Sequence, residues 1–220
     1  MGDKSNSKII YLVLILSGLV LMSAYGGFQK KCGASISCVC GDEINASRTL
    51  GSTDSLTGCN NMTILTVNAS NVILDCAGNT LGGNYSGKGT GSGPNAYMGI
   101  GLLTPTSTTL DPKNITIQNC IIEGVAVGIE RQGGALPSNI TIKNNTIRHL
   151  TSVIDRTVTG ISLAGFDDLI IVDNQIYNLS CSTCTAANAN TLAGIFTVLN
   201  ADNDYIRNMT IDRNTFSNFS

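Results

Sequence analysis

The chain has 220 residues, a formal net charge of −2 and only 13% charged residues. This balance excludes the polybasic surface typical of nucleic-acid-binding proteins. Aromatic residues make up 5% of the chain, Trp is absent and Gly occurs 24 times. Such a composition argues against a helical bundle and favours a β-protein with many tight turns.

The N-terminal segment, residues 1–31, is predicted to be a signal peptide or a signal-anchor helix. An apolar stretch of 16 residues runs from Ile9 to Ala24 and follows two lysines. This length lies between a signal-peptide core and a bilayer span of roughly 20 residues, so cleavage and membrane anchoring both stay open. In either case we expect residues 32–220 to be exported.

The cysteines also indicate an oxidising compartment outside the cytosol. Disulfide candidates are Cys32, Cys38, Cys40, Cys59, Cys76, Cys181 and Cys184. Cys120 occupies a repeat position otherwise held by Asn and is predicted to be a packed thiol. A zinc site is the alternative for Cys38 and Cys40 together with Cys181 and Cys184, but it requires these two distant pairs to meet.

A short phrase recurs four times in the second half of the chain. Its first copy reads Asn114-Ile-Thr-Ile-Gln-Asn-Cys-Ile-Ile, and later copies begin at Asn139, Asp168 and Asn208. An imperfect forerunner begins at Asn71. Recurrence of a strand-like unit every few tens of residues is typical of a solenoid.

Positions are counted from the first Asn or Asp of each copy and continue beyond the nine residues quoted. Positions two, four, nine and twelve are apolar, which predicts strands with one buried face. Position seven holds Asn145, Asn174 and Asn214. We expect these asparagines to adopt the left-handed backbone of a turn and to hydrogen-bond to their counterparts one coil away.

A second phrase, Gly-Ile, falls between the copies, and three strands per coil are therefore predicted. It occurs at Gly99, Gly128, Gly160 and Gly194. The predicted fold is all-β: a right-handed parallel β-helix solenoid over residues 32–220, preceded by the N-terminal hydrophobic helix.

Long intervals between copies contain insertions, predicted to be surface loops where binding often resides. The insertions are Gly82 to Asn95, Thr104 to Pro112, Ser180 to Thr191 and Asn200 to Arg207. The last copy ends before a further Gly-Ile strand. We therefore expect either that the sequence is a fragment of a longer protein or that a partner covers the end.

The Asn71-Val-Ile-Leu-Asp-Cys segment and the Asn-x-Thr-Ile-x-x-Asn-x-Ile copies resemble the right-handed parallel β-helix repeat family of the pectin-lyase-like superfamily. The resemblance covers roughly residues 38–220 and extends to exported bacterial and archaeal members, including relatives of the copper-maturation type. It is specific for the fold but not for an activity, since the family includes lyases, hydrolases, epimerases, adhesins and wall proteins.

Resemblance to the lyases of this family implies a set of carboxylates that hold calcium beside an Arg or Lys. Calcium needs six to eight oxygens that converge on one point. The acidic residues are instead scattered along the chain, and the closest pair is Asp167-Asp168. Asp168 begins a repeat copy, so turn chemistry accounts for it. Family hydrolases imply paired Asp, Gly-His-Gly and Arg-x-Lys motifs, whereas the single histidine, His149, stands in Ile-Arg-His-Leu at an outward position.

Two arginines need an explanation. Glu123 and Arg148 share position ten in neighbouring copies, which predicts an outward ion pair. Arg131 would point inward if the strand alternation continued from Ile129. Because Gly133 and Gly134 follow, a turn is predicted there instead.

Ten Asn-x-Ser/Thr sequons are present, at Asn45, Asn61, Asn68, Asn84, Asn114, Asn139, Asn144, Asn178, Asn208 and Asn218. Three of them belong to the repeat phrase itself, and Asn84, in a Gly-rich loop, is the best glycosylation candidate. Tyr85 and Tyr97 are candidate sugar-stacking residues.

The function predicted from these features is a cell-surface structural or glycan-binding module, secreted or membrane-anchored. The alternative is a polysaccharide lyase or hydrolase with a divergent active site or one in further C-terminal coils. We predict no catalytic residue, metal or cofactor in this chain, with calcium reserved for the lyase alternative. The expected partners are a polysaccharide or surface glycan and, through the N-terminal helix, a membrane.

Overall fold

The computed structural model describes residues 31–60, 63–84, 98–103, 113–132, 138–152, 157–181, 191–198 and 206–220. These residues belong to one compact unit, Lys31–Ser220. The predicted N-terminal helix and most of the predicted insertions lie outside the described residues. The residues that can be described include no helix suited to crossing a membrane.

Eighteen strands are present in the described residues. They are β1 (Lys31–Cys32), β2 (Asp42–Ile44), β3 (Arg48–Thr49), β4 (Leu65–Val67), β5 (Val72–Asp75), β6 (Thr80–Gly82), β7 (Met98–Leu103), β8 (Lys113–Gln118), β9 (Ile121–Glu123), β10 (Val127–Gln132), β11 (Ser138–Lys143), β12 (Thr146–Ser152), β13 (Val158–Ala164), β14 (Phe166–Val172), β15 (Gln175–Cys181), β16 (Leu192–Val198), β17 (Ile206–Asp212) and β18 (Thr215–Phe219).

The strands form three parallel sheets, and each full coil contributes one strand to each sheet. Sheet 1 has the order β1-β2-β4-β7-β10-β13-β16, sheet 2 has β3-β5-β8-β11-β14-β17, and sheet 3 has β6-β9-β12-β15-β18. Because every third strand from β4 onward returns to the same sheet, the chain winds as a parallel β-helix. This confirms the predicted all-β solenoid with three strands per coil.

The repeat phrase sets the register between coils. In sheet 2, Ile115 pairs with Ile140, which in turn pairs with Leu169. In sheet 3, Ile122 pairs with Ile147, which pairs with Ile176. These side chains are at most 1% exposed. Like residues therefore stack over like residues in the interior, where apolar burial contributes most of the folding free energy.

Three columns of residues with positive φ bend the chain. Position six lies between sheets 2 and 3, whereas most residues of positions one and eleven lie within strands. Position one contains Asn71, Asn114, Asn139, Asp168 and Asn208; position six contains Asn119, Asn144, Asp173 and Arg213; position eleven contains Gly124, His149, Asn178 and Asn218. Their φ values lie between 49° and 65°, the left-handed region that Asn, Asp and Gly adopt at least cost.

The prediction of a left-handed backbone at position seven was therefore wrong, because position six adopts it. The predicted hydrogen bonds between coils at position seven are present. Asn145 Nδ2 donates to Asn174 Oδ1 at 3.0 Å, and Asn174 Nδ2 donates to Asn214 Oδ1 at 2.9 Å. Asn145 and Asn174 are buried, so this column is an internal amide ladder.

Disulfides link Cys32 to Cys38, Cys40 to Cys59 and Cys76 to Cys120. The first two join segments of the N-terminal coils, and the third joins two successive coils. Cys120 is thus not the packed thiol that we predicted. Its sulfur is instead crosslinked to Cys76 of the forerunner copy.

Cys181 is also disulfide-bonded, whereas Cys184 lies outside the described residues. The zinc alternative was wrong for Cys38 and Cys40, since each sulfur is bonded to a different cysteine. Disulfides persist where the surroundings are oxidising, so this domain belongs in an extracellular or periplasmic compartment.

The first described coils are also held by a buried ion pair between Arg48 and Asp54. The two side chains are 7% and 2% exposed. Asp54 also accepts hydrogen bonds from the backbone amides of Cys38 at 2.6 Å and Gly51 at 2.8 Å. Burial alone would raise the pKa of Asp54, but the three donors outweigh it and hold the pKa below its usual 3.8.

Because the folded pKa of Asp54 is depressed, its ionised form stabilises the fold above pH 3.8. That stabilisation falls as the pH drops through the lower folded pKa. We expect the urea midpoint to decline over this acidic range and to decline less steeply in Asp54→Asn, which cannot titrate there. An identical pH slope in the variant would contradict this assignment.

At the other end, the last described coil exposes side chains from the inward columns. Met209, Ile211, Phe216 and Phe219 are 37–46% exposed, whereas their counterparts one coil earlier are fully buried. The difference arises because strands β16, β17 and β18 each pair with only one neighbour among the described strands.

Candidate functional site

The outer face of sheet 3 carries charged, phenolic and imidazole side chains on neighbouring coils. Position ten projects outward from β9, β12 and β15, where it is Glu123, Arg148 and Tyr177. His149 follows Arg148 at position eleven of β12 and has a left-handed backbone conformation. Successive coils therefore stack an acid, a base and a phenol about 4.8 Å apart on one surface.

Arg148 connects this row. Its Nε donates to Glu123 Oε2 at 2.8 Å, and its Nη1 donates to Tyr177 Oη at 3.5 Å. The hydrogen bond to Tyr177, and to a lesser extent the one to Glu123, raises the pKa of Arg148. Both charged side chains are 33% exposed. The predicted outward ion pair is present, and at this exposure it adds little stability.

His149 lies against the edge of Tyr177. The two ring centroids are 6.2 Å apart and the rings are inclined at 74°, a favourable edge-to-face arrangement. His149 is exposed, as its sequence position predicted. The pair presents an aromatic surface that is anchored on one side by Arg148 and open to solvent on the other.

An open groove of about 590 Å³ lies on the His149 side of this pair. It is lined by His149, Leu150, Thr151, Asn178, Ser180, Asn218, Phe219 and Ser220. Hydroxyl, amide and imidazole groups therefore line it. Pockets that bind small molecules usually combine a few convergent polar groups with an apolar or aromatic wall.

The acidic pair considered in the sequence, Asp167 and Asp168, does not line this groove. Asp167 contacts Arg207 at 3.5 Å on sheet 2. Asp168 accepts a hydrogen bond from Asn208 Nδ2 at 2.9 Å, and its φ of 57° agrees with the predicted turn role. Among the described residues, no group of three or more His, Cys, Asp or Glu side chains is placed to hold a metal ion.

Arg131 differs from the prediction. It lies within β10 and is 6% exposed, opposite the buried Leu102 of β7. The turn predicted at this position was wrong because the strand continues through Gln132. Strand alternation alone would have placed Arg131 correctly.

The remaining candidate residues fall outside the described part of the chain or at its border. Tyr85 and Tyr97 lie outside the described residues, so sugar stacking by them stays a prediction. Asn84 is exposed and its backbone amide donates to the carbonyl of Cys59 at 2.8 Å. Its glycosylation also stays a prediction.

Asp168 interrupts a ladder on the surface of sheet 2. Asn114 Nδ2 donates to Asn71 Oδ1 at 2.7 Å, and Asn139 Nδ2 donates to Asn114 Oδ1 at 2.8 Å. At Asp168 the next donor is missing, because a carboxylate only accepts hydrogen bonds. The Oδ1 atom of Asn139 is left with no donor in the following coil.

We expect Asp168→Asn to complete this ladder and raise the free energy of unfolding by up to about 1 kcal/mol, the net value of one exposed hydrogen bond. Asp168→Ala should lower it, since the variant loses the bond to Asn208 and strains a left-handed position. Urea unfolding of both variants checks the prediction. A loss of stability in Asp168→Asn would contradict it.

The groove was not predicted from the sequence. His149, Asn178 and Asn218 are 29 and 40 residues apart, and two of them were noted only as sequons. Their shared position eleven was the signal that could have revealed the column. No protein-family model, curated protein or solved structure matches the chain.

Proposed function

We propose that this protein is an exported β-helix module that binds surface or extracellular glycans through the outer face of sheet 3. The observation that carries the proposal is the open groove lined by His149, whose ring packs against that of Tyr177. Its amides and hydroxyls match the hydrogen-bonding groups of sugars. The Tyr177 ring offers the flat apolar surface on which a sugar ring stacks.

The proposal includes two features predicted from the sequence. One is membership of the exported branch of the pectin-lyase-like superfamily, supported by the parallel β-helix and its stacked phrase columns. The other is delivery by the N-terminal hydrophobic segment, supported by the disulfides of the exported part. The solenoid acts as a rigid scaffold on which successive coils repeat the same polar groups.

The test is a glycan array probed with the labelled full-length chain, with and without calcium. We expect calcium-independent binding to at least one glycan class. Tyr177→Ala should weaken that binding about tenfold, since a lost aromatic contact costs about 1.4 kcal/mol. Phe196→Ala is the matched control, because Phe196 is an outward aromatic residue on sheet 1.

Failure of the wild-type chain to bind any glycan would exclude the proposed function. Equal binding by Tyr177→Ala and Phe196→Ala would move the site away from sheet 3. Calcium-dependent release of shortened glycan would instead favour the lyase alternative.

A further inference from the structure

The first described coil exposes two large hydrophobic side chains three residues apart. Ile36 is 51% exposed and Val39 is 41% exposed. Among the described residues before β17, the other exposed large hydrophobic side chains are Ile73 and Ile170. Each of those two stands singly on sheet 2, paired with a threonine of the neighbouring coil. Single exposed apolar side chains are ordinary on a soluble protein, whereas neighbouring ones indicate a contact surface.

The segment that contains Ile36 and Val39, residues 31–41, is here called the cap coil. Its strand β1 lies at the end of sheet 1 and pairs with β2. Val39 forms a parallel bridge with Ser55, and the backbone amide of Ala34 donates to the carbonyl of Ser47 at 3.4 Å. The cap coil therefore lies over the first strands of the solenoid and forms the terminal layer at its N-terminal end.

Several bonds fix the backbone of the cap coil. A disulfide joins Cys32 to Cys38. The backbone amide of Ile36 donates to the carbonyl of Gly33 at 2.7 Å, and Arg48 Nη1 donates to the carbonyl of Ala34 at 3.1 Å. The exposure of Ile36 is therefore a property of a turn that is tied to the domain behind it.

The charge of the cap coil suits the surface of a lipid bilayer. Residues 31–41 contain one Lys and no Asp or Glu. The next acid in the chain, Asp42, is only 2% exposed, and Glu43 lies opposite Lys31 in the pairing of β1 with β2. Surfaces that lie on a membrane combine apolar side chains, which enter the boundary of headgroups and acyl chains, with Lys or Arg beside the lipid phosphates.

The sequence places this surface next to the predicted membrane segment. Residues 25–30 separate the apolar stretch, residues 9–24, from the cap coil. A chain of that length spans at most about 25 Å when fully extended. A bilayer-anchored apolar stretch would therefore hold the cap coil, rather than the far coils, close to the lipid headgroups.

We propose that the cap coil rests on the surface of a lipid bilayer, with Ile36 and Val39 inserted at the boundary of headgroups and acyl chains and with Lys31 beside lipid phosphates. This inference rests on the delivery by the N-terminal segment that the proposed function includes, and it specifies which surface of the domain faces the membrane. Glycan binding is not needed for it.

In this orientation the groove on sheet 3 is held away from the membrane. From Val39 to β12 the chain adds four strand spacings, through Ser55, β6 and β9. At the usual spacing this distance is about 20 Å. The solenoid thus raises the groove, which His149 of β12 lines, above the headgroup layer.

The test uses tryptophan as a depth probe, because the chain itself contains no Trp. Full-length Ile36→Trp and Val39→Trp chains are made by cell-free synthesis under oxidising conditions, with vesicles of phosphatidylcholine and phosphatidylglycerol. We expect the emission of each probe to shift to shorter wavelength in the vesicles and to lose intensity when the acyl chains carry bromine. Both changes require the indole to lie at the membrane interface.

Ile170→Trp is the matched control. Ile170 is also an exposed isoleucine, 40% exposed, in the outward row of β14. In sheet 2, β14 lies four strands from β3, the strand next to the cap coil. Its probe therefore lies about 20 Å or more from the membrane, and its emission should stay that of an indole in water with either lipid.

Equal quenching of Ile170→Trp and Ile36→Trp would overturn this inference. Unquenched Ile36→Trp and Val39→Trp in chains that sediment with the vesicles would overturn it as well, while leaving delivery by the N-terminal segment intact. Chains that do not sediment with the vesicles would remove both that delivery and this inference. The glycan array tests the groove separately from all three outcomes.

Discussion

Asn174→Ala is expected to lower the free energy of unfolding by about 3–5 kcal/mol, because it removes the centre of the internal ladder. The Asn174 side chain is fully buried. Its Nδ2 donates to the carbonyl of Ile142 at 3.0 Å and to Asn214 Oδ1 at 2.9 Å. Its Oδ1 accepts from the backbone N and the Nδ2 of Asn145, both at 3.0 Å. The substitution leaves several of these buried polar groups with neither a protein hydrogen-bond partner nor water.

The matched control is Gln175→Ala, one residue further along the same turn. Gln175 is exposed and begins β15 at an outward position, so its loss should change stability by no more than about 0.5 kcal/mol. Urea unfolding, followed by circular dichroism, measures both. Similar losses in the two variants would show that the buried amides are not the source of stability.

The coil and its buried columns could be predicted from the sequence because the relevant signals are local. Alternation at Ile115 and Ile117 specifies an inward face, and recurrence of the phrase specifies which residues stack. The pairing of Ile140 with Ile115 and Leu169 follows directly. The position-ten ion pair was predictable for the same reason, since Glu123 and Arg148 occupy equivalent positions.

The exact turn residue could not be predicted, because adjacent asparagines have the same propensities. Asn144 and Asn145 both favour left-handed turns, yet only Asn144 has positive φ. The interior selects Asn145 for the ladder, since its amide satisfies the carbonyl of Ile117. That choice depends on contacts 28 residues apart in the chain, which local propensity does not encode.

The disulfide of Cys120 and the groove could not be predicted either, because both depend on contacts between coils. Cys76 is the sixth residue of its copy and Cys120 the seventh of the next, so equivalent positions would not pair them. A turn at Ala77 and Gly78, both with positive φ, brings the sulfurs within bonding distance. Likewise, the groove depends on how Asn178 lies relative to His149 across coils.

The polar side chains of the repeat columns therefore fall into two groups, those with all their hydrogen bonds made inside the protein and those with a donor or acceptor left unpaired. The amides of Asn145 and Asn174 are satisfied inside the protein, and they specify the stacking of coils. Asn178 retains a donor, and His149 retains both ring nitrogens without a hydrogen bond to the described residues. The groove that we propose as a glycan site thus lies where a column changes residue type.

Gly160→Ala is expected to lower the free energy of unfolding by about 2–4 kcal/mol through steric overlap. An added Cβ would lie 2.5 Å from the carbonyl oxygen of Gly194 and 2.7 Å from Ile176 Cγ2. The first neighbour is backbone of the next strand in sheet 1, and the second belongs to the buried position-nine column of sheet 3. Neither can move without separating paired strands, so the Gly of the Gly-Ile phrase is required by close packing.

Gly51→Ala separates this effect from the general cost of replacing glycine. No atom lies within 4 Å of a Cβ built at Gly51, and its φ is not positive. We expect its stability to be unchanged or slightly raised, because alanine restricts the unfolded chain more than glycine does. Urea unfolding should therefore rank Gly51→Ala at or above the wild type and Gly160→Ala well below it. Equal midpoints for the two variants would mean that sheets 1 and 3 do not approach each other as closely as the Gly-Ile column requires.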